Sequence, residues 1–263
     1  MAPIRLNIVE QGAGDGPLLV VLHGLFGSAQ NWATIARRLA DRYRVVAVDM
    51  RNHGASPWDD AMTYDAMAED VIALLRARAP GGGAALLGHS MGGKAAMLAA
   101  LREPALVDRL IVADVAPVAY PPALGAYVQA MRDVDLSGVS RRAEADEHLK
   151  PRIPEPGIRA FLLQNLVQGP EGFRWRLNLP VLERDMALIS GFPDVPHGSS
   201  YGGPALFLRG ERSDYVTAAH EPAIRRLFPH AKIASIAGAG HWVHAEKPDA
   251  FLDAVSRFLD ART

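Results

Sequence analysis

The segment Gly88-His89-Ser90-Met91-Gly92 lies between a short apolar run at 84–87 and a run of helix-forming residues at 94–100. A serine at such a turn from a buried strand into a helix adopts a strained backbone conformation that points its hydroxyl away from the sheet. The pattern therefore requires a fold in which a strand leads directly into a helix, and it makes Ser90 a candidate nucleophile. Because a five-residue pattern also arises by chance, a glycine-rich helix entry with an ordinary serine stays open as the alternative.

Short apolar runs alternate with helical patterns over the first 115 residues, and the same alternation returns after residue 204. Runs of this length are typical of strands buried on both faces of a sheet. Together they predict an α/β fold with a mostly parallel central sheet flanked by helices. The predicted strands are 18–22, 45–48, 84–87, 110–113, 205–208 and 232–237. The predicted helices are 31–40, 64–79, the helix that Ser90 begins, about 218–228 and 248–259.

The stretch from residue 117 to residue 203 departs from this alternation. It shows no convincing strand, and prolines divide it into short helical segments. We therefore expect an all-helical cap at 117–203, inserted into an α/β core formed by 1–116 and 204–263. Such a cap would lie over the carboxyl ends of the parallel strands, where open α/β sheets bind their ligands.

The composition excludes several classes of function. The 263-residue chain has a formal net charge of −1 and no basic stripe, so nucleic acid is not an expected partner. The absence of cysteine excludes disulfides and thiolate catalysis, and His197 and His220 have no partners at metal-ligand spacing, so no metal is expected. No apolar run approaches the roughly 18 residues of a membrane span, and no secretory signal pattern opens the sequence. We expect a cytoplasmic protein, and no pattern indicates its oligomeric state.

His241 is the candidate general base for Ser90. A serine hydroxyl needs a base to take its proton, and histidine serves because its ordinary pKa lies near neutrality. His241 stands in the sequence Gly238-Ala239-Gly240-His241-Trp242, directly after the last predicted strand, so it can reach back to the turn at Ser90. His244 is close by as an alternative base, with packing as its simpler role.

The sequence His23-Gly24-Leu25-Phe26-Gly27-Ser28 follows the first buried strand. A glycine-rich turn at the sheet edge leaves backbone N–H groups available for an oxyanion. The residue after a serine nucleophile supplies the second donor of such a hole. We predict the N–H groups of Leu25 and Met91 as the oxyanion hole, with Phe26 as the alternate donor. A plain strand-to-helix turn is the alternative interpretation of this segment.

Four blocks occur in the same order as in a known group of enzymes. They are 23–28, 49–56, 88–94 and 238–248. With them the chain resembles the YbfF-type bacterial carboxylesterases and their mitochondrial relatives, within the α/β-hydrolase-fold serine hydrolases. The resemblance implies a serine hydrolase that cleaves small-molecule carboxylic esters through an acyl-enzyme intermediate and needs no cofactor.

The acid that supports His241 departs from the usual pattern of this fold. Members usually carry it in a Gly-x-x-Asp-x-x-Val sequence after the strand that ends at Leu208, but here Ser213 stands at that position and Asp214 comes one residue late. Asp114 lies at the end of another predicted strand, where a buried carboxylate needs a partner. The resemblance to enzymes that lack the usual aspartate favours Asp114, and Asp214 stays as the alternative.

Aromatic and aliphatic side chains of the cap, with two from the core, are expected to line the substrate pocket and to select short to medium acyl chains. The predicted substrate-binding residues are Phe26, Tyr120, Tyr127, Leu162, Leu166, Trp175 and Trp242. Other functions stay open because a fold and a triad do not determine a substrate. They are an acyl thioesterase or carbon–carbon bond hydrolase of this fold, a cofactor-free perhydrolase or haloperoxidase-like activity, and a non-catalytic ligand-binding protein on this scaffold.

Overall fold

The computed structural model describes residues 2–12 and 15–261. Residues 1, 13, 14, 262 and 263, which belong to the predicted core, lie outside the described residues. The strands are β1 (Asn7–Gln11), β2 (Leu18–Leu22), β3 (Arg44–Asp49), β4 (Ala84–His89), β5 (Val107–Ala113), β6 (Leu166–Gly169), β7 (Gly172–Trp175), β8 (Ala205–Gly210) and β9 (Ala231–Ile236). The helices are α1 (Ala33–Leu39), α2 (Tyr64–Arg78), α3 (Met91–Arg102), α4 (Gly125–Arg132), α5 (Arg142–Leu149), α6 (Pro156–Leu163), α7 (Leu179–Arg184), α8 (Met186–Ser190), α9 (Glu221–Leu227), α10 (Val243–Glu246) and α11 (Pro248–Asp260).

Seven strands form the central sheet in the order β1-β3-β2-β4-β5-β8-β9. All neighbouring pairs are parallel except β1 and β3, so the predicted mostly parallel sheet is confirmed. Sequence reasoning missed β1, because this edge strand is only partly buried and reads Asn-Ile-Val-Glu-Gln without an apolar run. The parallel strands end at one edge of the sheet, and the loops that follow them carry the predicted site residues.

The sheet separates two buried clusters of apolar side chains. Alternate residues of β2 face opposite clusters, Val20 with Met67 and Ala96 on one side and Val21 with Ile35 and Phe251 on the other. Helices α2 and α3 cover the first face, and α1 and α11 cover the second. Burial on both faces explains why the central strands appear in the sequence as continuous apolar runs.

Residues 117–203, called the cap segment below, contain α4 to α8 and the hairpin of β6 and β7. The expectation that this segment is all helical is therefore wrong at the hairpin. The turn Gly169-Pro170-Glu171-Gly172 joins the two strands, and the opposing pair Leu166 and Trp175 is buried. Glycines around a Pro-Glu pair are a turn signal, but the strands are only four residues long and too short to show a clear alternation.

Candidate active site

Ser90 lies between the end of β4 and the start of α3 in a backbone conformation that non-glycine residues rarely adopt. Its φ is 52° and its ψ is −119°. The Ser90 N–H donates to the carbonyl of Ala113 at 3.0 Å, which ties the turn to the end of β5. Such strain persists only where the surroundings enforce it, and it presents the hydroxyl at the sheet edge.

The glycines beside Ser90 are required by close backbone approach. A Cβ at Gly88 would lie 2.3 Å from the Gly92 carbonyl oxygen, and a Cβ at Gly92 would lie 2.5 Å from the His23 carbonyl oxygen. Both distances are well inside van der Waals contact, so no larger residue fits without moving the main chain. The glycines of the motif therefore allow α3 to pack directly against the ends of β2 and β4.

His241 and Asp114 form a hydrogen-bonded pair beside Ser90. The His241 Nδ1 lies 2.8 Å from the Asp114 Oδ2, and Asp114 is completely buried whereas the His241 side chain is 20% exposed. An Nδ1–H that donates to the carboxylate leaves Nε2 unprotonated, which is the tautomer a general base needs. His241 and Ser90 both line the same cavity.

Asp114 is held by the main chain as well as by His241. Its N–H donates to the Leu208 carbonyl at 2.7 Å, its Oδ1 accepts from the Gly210 N–H at 2.9 Å, and its φ is 53°. The hydroxyl of Ser213, the residue at the usual acid position, donates to the Asp114 Oδ2. Asp214, the residue after Ser213, is exposed to solvent. Among the described residues, Asp114 is the one carboxylate within hydrogen-bonding distance of His241.

The loop after β2 distinguishes the predicted oxyanion donors. The Phe26 N–H donates to the His53 Nε2 at 3.2 Å, so this alternate donor already has a partner. Within the part of the chain that the structure describes, no protein acceptor pairs with the N–H of Leu25 or Met91. Met91 is the first residue of α3, where backbone N–H groups lack intrahelical partners. The two predicted donors are therefore available to a ligand.

Two buried neutral histidines shape that loop. The His23 Nδ1 donates to the Gly24 carbonyl at 2.7 Å, and its Nε2 accepts from the Met50 N–H at 2.9 Å. The His53 Nδ1 donates to the Arg51 carbonyl at 2.9 Å, which leaves its Nε2 to accept from Phe26. Burial lowers the pKa of His23, and it lowers the pKa of His53 to about 3. Both rings therefore stay neutral and act as fixed donor–acceptor links.

Two other aromatic rings contact the His241 ring. Tyr215 stacks on it, with ring centroids 4.0 Å apart and an interplanar angle of 21°. The His89 ring is tilted against it, with centroids 4.7 Å apart, and donates from Nε2 to the His241 carbonyl at 2.9 Å. Sequence reasoning missed Tyr215, although its place in the loop after β8 was a usable signal. His244 stacks on Trp32 at 4.1 Å, a packing role that matches its simpler interpretation.

A cavity of about 210 Å³ opens beside Ser90 and His241. Residues of the core loops and of the cap segment share its lining. Four predicted substrate-binding residues are among them: Phe26, Tyr127, Leu162 and Trp242. Sequence reasoning did not assign to the pocket Asn31, Trp32, Leu124, Ile158 and Phe161, which also line it. A second, smaller cavity of about 40 Å³ lies on another side of Ser90, and the predicted Tyr120 lines this one.

The predictions of Leu166 and Trp175 as substrate-binding residues are wrong. Neither lines either of the two cavities beside Ser90. They face each other across the β6–β7 hairpin and pack into the buried cluster that the cap segment shares with one face of the central sheet. The segment was interpreted as helical, so the sequence could not show which way these side chains point.

Two asparagines of the cap segment bind backbone carbonyls of the core loops. The Asn165 Nδ2 donates to the Phe26 carbonyl at 2.8 Å, and the Asn178 N–H donates to the Asn52 carbonyl at 3.2 Å. Phe26 and Asn52 both have a φ of 64°. The cap segment thus supports the conformation of two strained turns at the sheet edge.

No group of three or more metal-ligating side chains occurs within residues 2–12 and 15–261. Over the same residues, no helix is both long enough and apolar enough to cross a bilayer.

The fold and these side chains define an enzyme of the hydrolase type: a parallel sheet, a serine on a strained turn, and a histidine paired with a buried carboxylate at the same edge. Comparison with known proteins agrees. Residues 17–248 match a protein family that is described as "alpha/beta hydrolase fold". The chain therefore belongs to the α/β hydrolase fold family.

The relatives include esterases and a lipase. The chain is 45% identical over 258 residues to the sn-1-specific diacylglycerol lipase ABHD11 of Xenopus tropicalis, which covers 95% of this chain and 80% of the relative. It is 39% identical to the esterase YbfF of Escherichia coli over 98% of this chain and 100% of the relative. A solved marine microorganism esterase has a TM-score of 0.93 at 37% identity, with 97% of this chain and 99% of that chain covered. The predicted resemblance and the predicted class, an ester-hydrolysing serine hydrolase, are confirmed.

Proposed function

We propose that the protein cleaves carboxylic esters with short to medium acyl chains, with Ser90 as nucleophile, His241 as general base and Asp114 as the acid that orients it. The observation that carries this proposal is the placement of the His241 ring between the buried Asp114 carboxylate and the cavity that Ser90 also lines. Asp214 is disfavoured as the acid because it is exposed and because Asp114 occupies the Nδ1 side of the ring.

The reaction proceeds in two acyl-transfer steps. Ser90 attacks the ester carbonyl while the His241 Nε2 accepts the hydroxyl proton, and the N–H groups of Leu25 and Met91 stabilise the oxyanion. His241 then protonates the leaving alcohol, which departs and leaves an acyl-enzyme. Water gives its proton to the same histidine and attacks the acyl carbonyl, which releases the acid and restores Ser90. Asp114 holds the ring in the required tautomer and stabilises the imidazolium that forms in each step.

The shape of the site supports small-molecule esters as substrates. The cavities of about 210 Å³ and 40 Å³ meet at Ser90 and are lined mainly by apolar side chains. We propose that residues 117–203 form a cap that closes these cavities over a core of 1–116 and 204–263. A cytoplasmic location, expected from the composition, is part of the same proposal.

The experiment combines active-site labelling with a substrate panel. A fluorophosphonate probe should label the wild-type protein, and Ser90→Ala should abolish labelling and lower kcat for nitrophenyl esters by about 10⁴-fold or more. Ser137→Ala, at an exposed serine of the cap segment, is the matched control and should keep both activities. Labelling that persists in Ser90→Ala would refute the assignment of the nucleophile.

The same panel distinguishes the other functions. Nitrophenyl esters from acetate to decanoate are compared with the corresponding acyl-CoA thioesters under identical conditions. We expect the highest kcat/KM for oxygen esters of short to medium acyl chains. A preference for acyl-CoA would instead indicate a thioesterase. An absence of both turnover and labelling would favour a non-catalytic ligand-binding protein.

A further inference from the structure

Lys94 is a buried basic residue next to the nucleophile, and no anionic partner of it is found among the described residues. It lies one helical turn after Ser90 on α3 and is 2% exposed. Its Nζ donates to the carbonyl of Ser190 at 2.8 Å and to the carbonyl of Gly191. No carboxylate of the described residues lies within ion-pair distance of it. Burial lowers the pKa of Lys94 to about 7, so the amine is only partly charged near neutral pH, and an anion beside its Nζ would favour the charged form. A buried charge is costly unless it is paired, and two neutral carbonyls compensate only part of that cost.

The ammonium lies among residues that line the smaller cavity. Tyr120 and Tyr64 present their ring faces to the Nζ, at 4.7 and 5.6 Å from the ring centroids, and both rings line this cavity together with Ser190. An ammonium has three N–H donors, and the two carbonyls take two of them. The third has no hydrogen-bond acceptor among the described residues. A ligand in the cavity can supply one.

The smaller cavity is separate from the general base. Ser90 and Met91 line it, whereas His241 lines the larger one. Because His241 must protonate the leaving oxygen, the alcohol of a substrate bound at Ser90 has to extend into the larger cavity. The acyl group then extends into the smaller cavity. This step rests on the function proposed above.

The volume limits what the acyl group can be. A cavity of about 40 Å³ has room for about three or four heavy atoms, at roughly 10–15 Å³ for each water-sized group. A methylene with a carboxylate has four heavy atoms. Such a group would bring its negative charge into the cavity that the Lys94 side chain also lines.

We propose that the smaller cavity is an acyl subsite in which Lys94 selects short acyl groups that end in a carboxylate, as in half-esters of small dicarboxylic acids. For the anion of a malonate half-ester, Ser90 forms a malonyl-enzyme whose free carboxylate stays ionised, and the alcohol is released. Water then cleaves the acyl-enzyme to malonate, one proton is released, and the enzyme is regenerated. Lys94 is a specificity residue here, and it takes no part in bond making.

The test compares two substrates that differ in charge but hardly in shape. Benzyl hydrogen malonate and benzyl 3-methylbutanoate share the leaving group, and their acyl groups end in a carboxylate and in an isopropyl group. We expect the wild-type kcat/KM to favour the half-ester by about 10-fold or more. In Lys94→Met, which removes the charge and keeps a long apolar side chain, this ratio should fall by at least about 10-fold. The exposed lysine variant Lys232→Met is the control and should keep the wild-type ratio.

Several outcomes would overturn the proposal. A wild-type ratio below one would do so without any variant, so the test does not depend on the folding of Lys94→Met. A Lys94→Met variant that loses thermal stability but keeps the ratio would show that Lys94 only ties α3 to the carboxyl end of α8. Benzyl acetate separates this inference from the general function. If wild type hydrolyses benzyl acetate but does not favour the half-ester, the subsite proposal fails alone, and if it hydrolyses none of the three esters, the proposed function fails as well.

Discussion

The loops at the carboxyl ends of the core strands and the cap segment build the candidate site in different ways. Four non-glycine residues of the described chain have a positive φ, and they follow four adjacent strands: Phe26 after β2, Asn52 after β3, Ser90 after β4 and Asp114 after β5. In the described cap segment, positive φ occurs only at Gly172 and Gly198. The backbone strain of the molecule is thus concentrated at one edge of the sheet.

Each strained residue costs of order 1–3 kcal/mol and persists only where its surroundings enforce it. Backbone hydrogen bonds to β5 and β8 hold Ser90 and Asp114, and asparagine donors from the cap segment hold the carbonyls of Phe26 and Asn52. The cap segment contributes to the cavity mainly through apolar side chains such as Phe161 and Leu162. We infer that the core loops determine the chemistry and that the cap segment, together with Lys94 of α3, determines which substrate fits.

The largest expected effect comes from a change in the core loops, the replacement of Asp114. In Asp114→Asn, the Gly210 N–H holds the amide oxygen at the Oδ1 position, so the NH2 group faces the His241 Nδ1, donates to it and forces the ring into the wrong tautomer. The value of kcat should fall by about 10⁴-fold. In Asp214→Asn, at an exposed position one residue beyond Ser213, kcat should change by less than about 2-fold. Steady-state kinetics on a short nitrophenyl ester measures both variants.

Thermal unfolding is the control for this pair, because Asp114 is completely buried and its replacement could disturb the fold. An inactive but stably folded Asp114→Asn supports its role as the acid. If Asp214→Asn loses turnover and Asp114→Asn retains it, the assignment of the acid is reversed.

The second prediction separates two aromatic residues of the cap segment. Phe161 lines the larger cavity and contacts Trp242 edge to face, with ring centroids 5.9 Å apart. Trp175 packs into the cap segment away from the cavities. Trp175→Ala should lower the free energy of unfolding by about 3–5 kcal/mol and leave the ratio of kcat/KM between a bulky and a small ester unchanged. Phe161→Ala should shift that ratio severalfold with a smaller loss of stability.

A matched variant sharpens this result. The Trp175 Nε1 is buried without a hydrogen-bond partner among the described residues. Trp175→Phe removes that unsatisfied donor and keeps an aromatic ring, so it should destabilise the protein by much less than Trp175→Ala. A change in ester selectivity in either Trp175 variant would contradict the division between packing and lining residues. Urea unfolding and ester kinetics give the two readouts.

The sequence predicted the core far better than the cap segment, and the reason is physical. Strands β2 to β5 each contain a continuous apolar run that is buried on both faces, whereas β1 and the β6–β7 hairpin are short and half polar. The serine and the aspartate directly follow strands, and the histidine lies in the loop after the last strand. The parallel sheet then brings them to one edge whatever the details of the packing.

The lining of the pocket depends on how distant segments pack, which no local pattern encodes. Leu166 and Leu162 are both buried apolar residues of the cap segment, yet one packs inside it and the other faces the cavity. The hydrogen-bond partner of the Phe26 N–H also could not be predicted from a local pattern. Its N–H is occupied by His53, 27 residues along the chain, which leaves Leu25 as the available donor.

The smallest expected effect is on the pH dependence of the free energy of unfolding, to which the buried histidines contribute. Burial lowers the pKa of His244 to about 3, and burial also lowers the pKa values of His23, His53 and His89. Below about pH 6.5 the unfolded chain takes up protons on these rings, while the folded protein does not until near pH 3 for His53 and His244. The free energy of unfolding should therefore be highest above pH 6.5 and fall as the pH decreases.

His244→Phe tests this dependence, because it keeps a ring stacked on Trp32 and removes one titrating group together with a buried Nδ1 that has no hydrogen-bond partner among the described residues. Urea unfolding at pH 7, 6 and 5 should show a slope that is smaller than the wild-type slope by about 1 kcal/mol per pH unit between pH 6 and 5. His197→Gln, at an exposed histidine of the cap segment, should keep the wild-type slope. Equal slopes in His244→Phe and wild type would mean that the folded protein accommodates a charged His244, and the core loops would then be less rigid than their hydrogen bonds indicate.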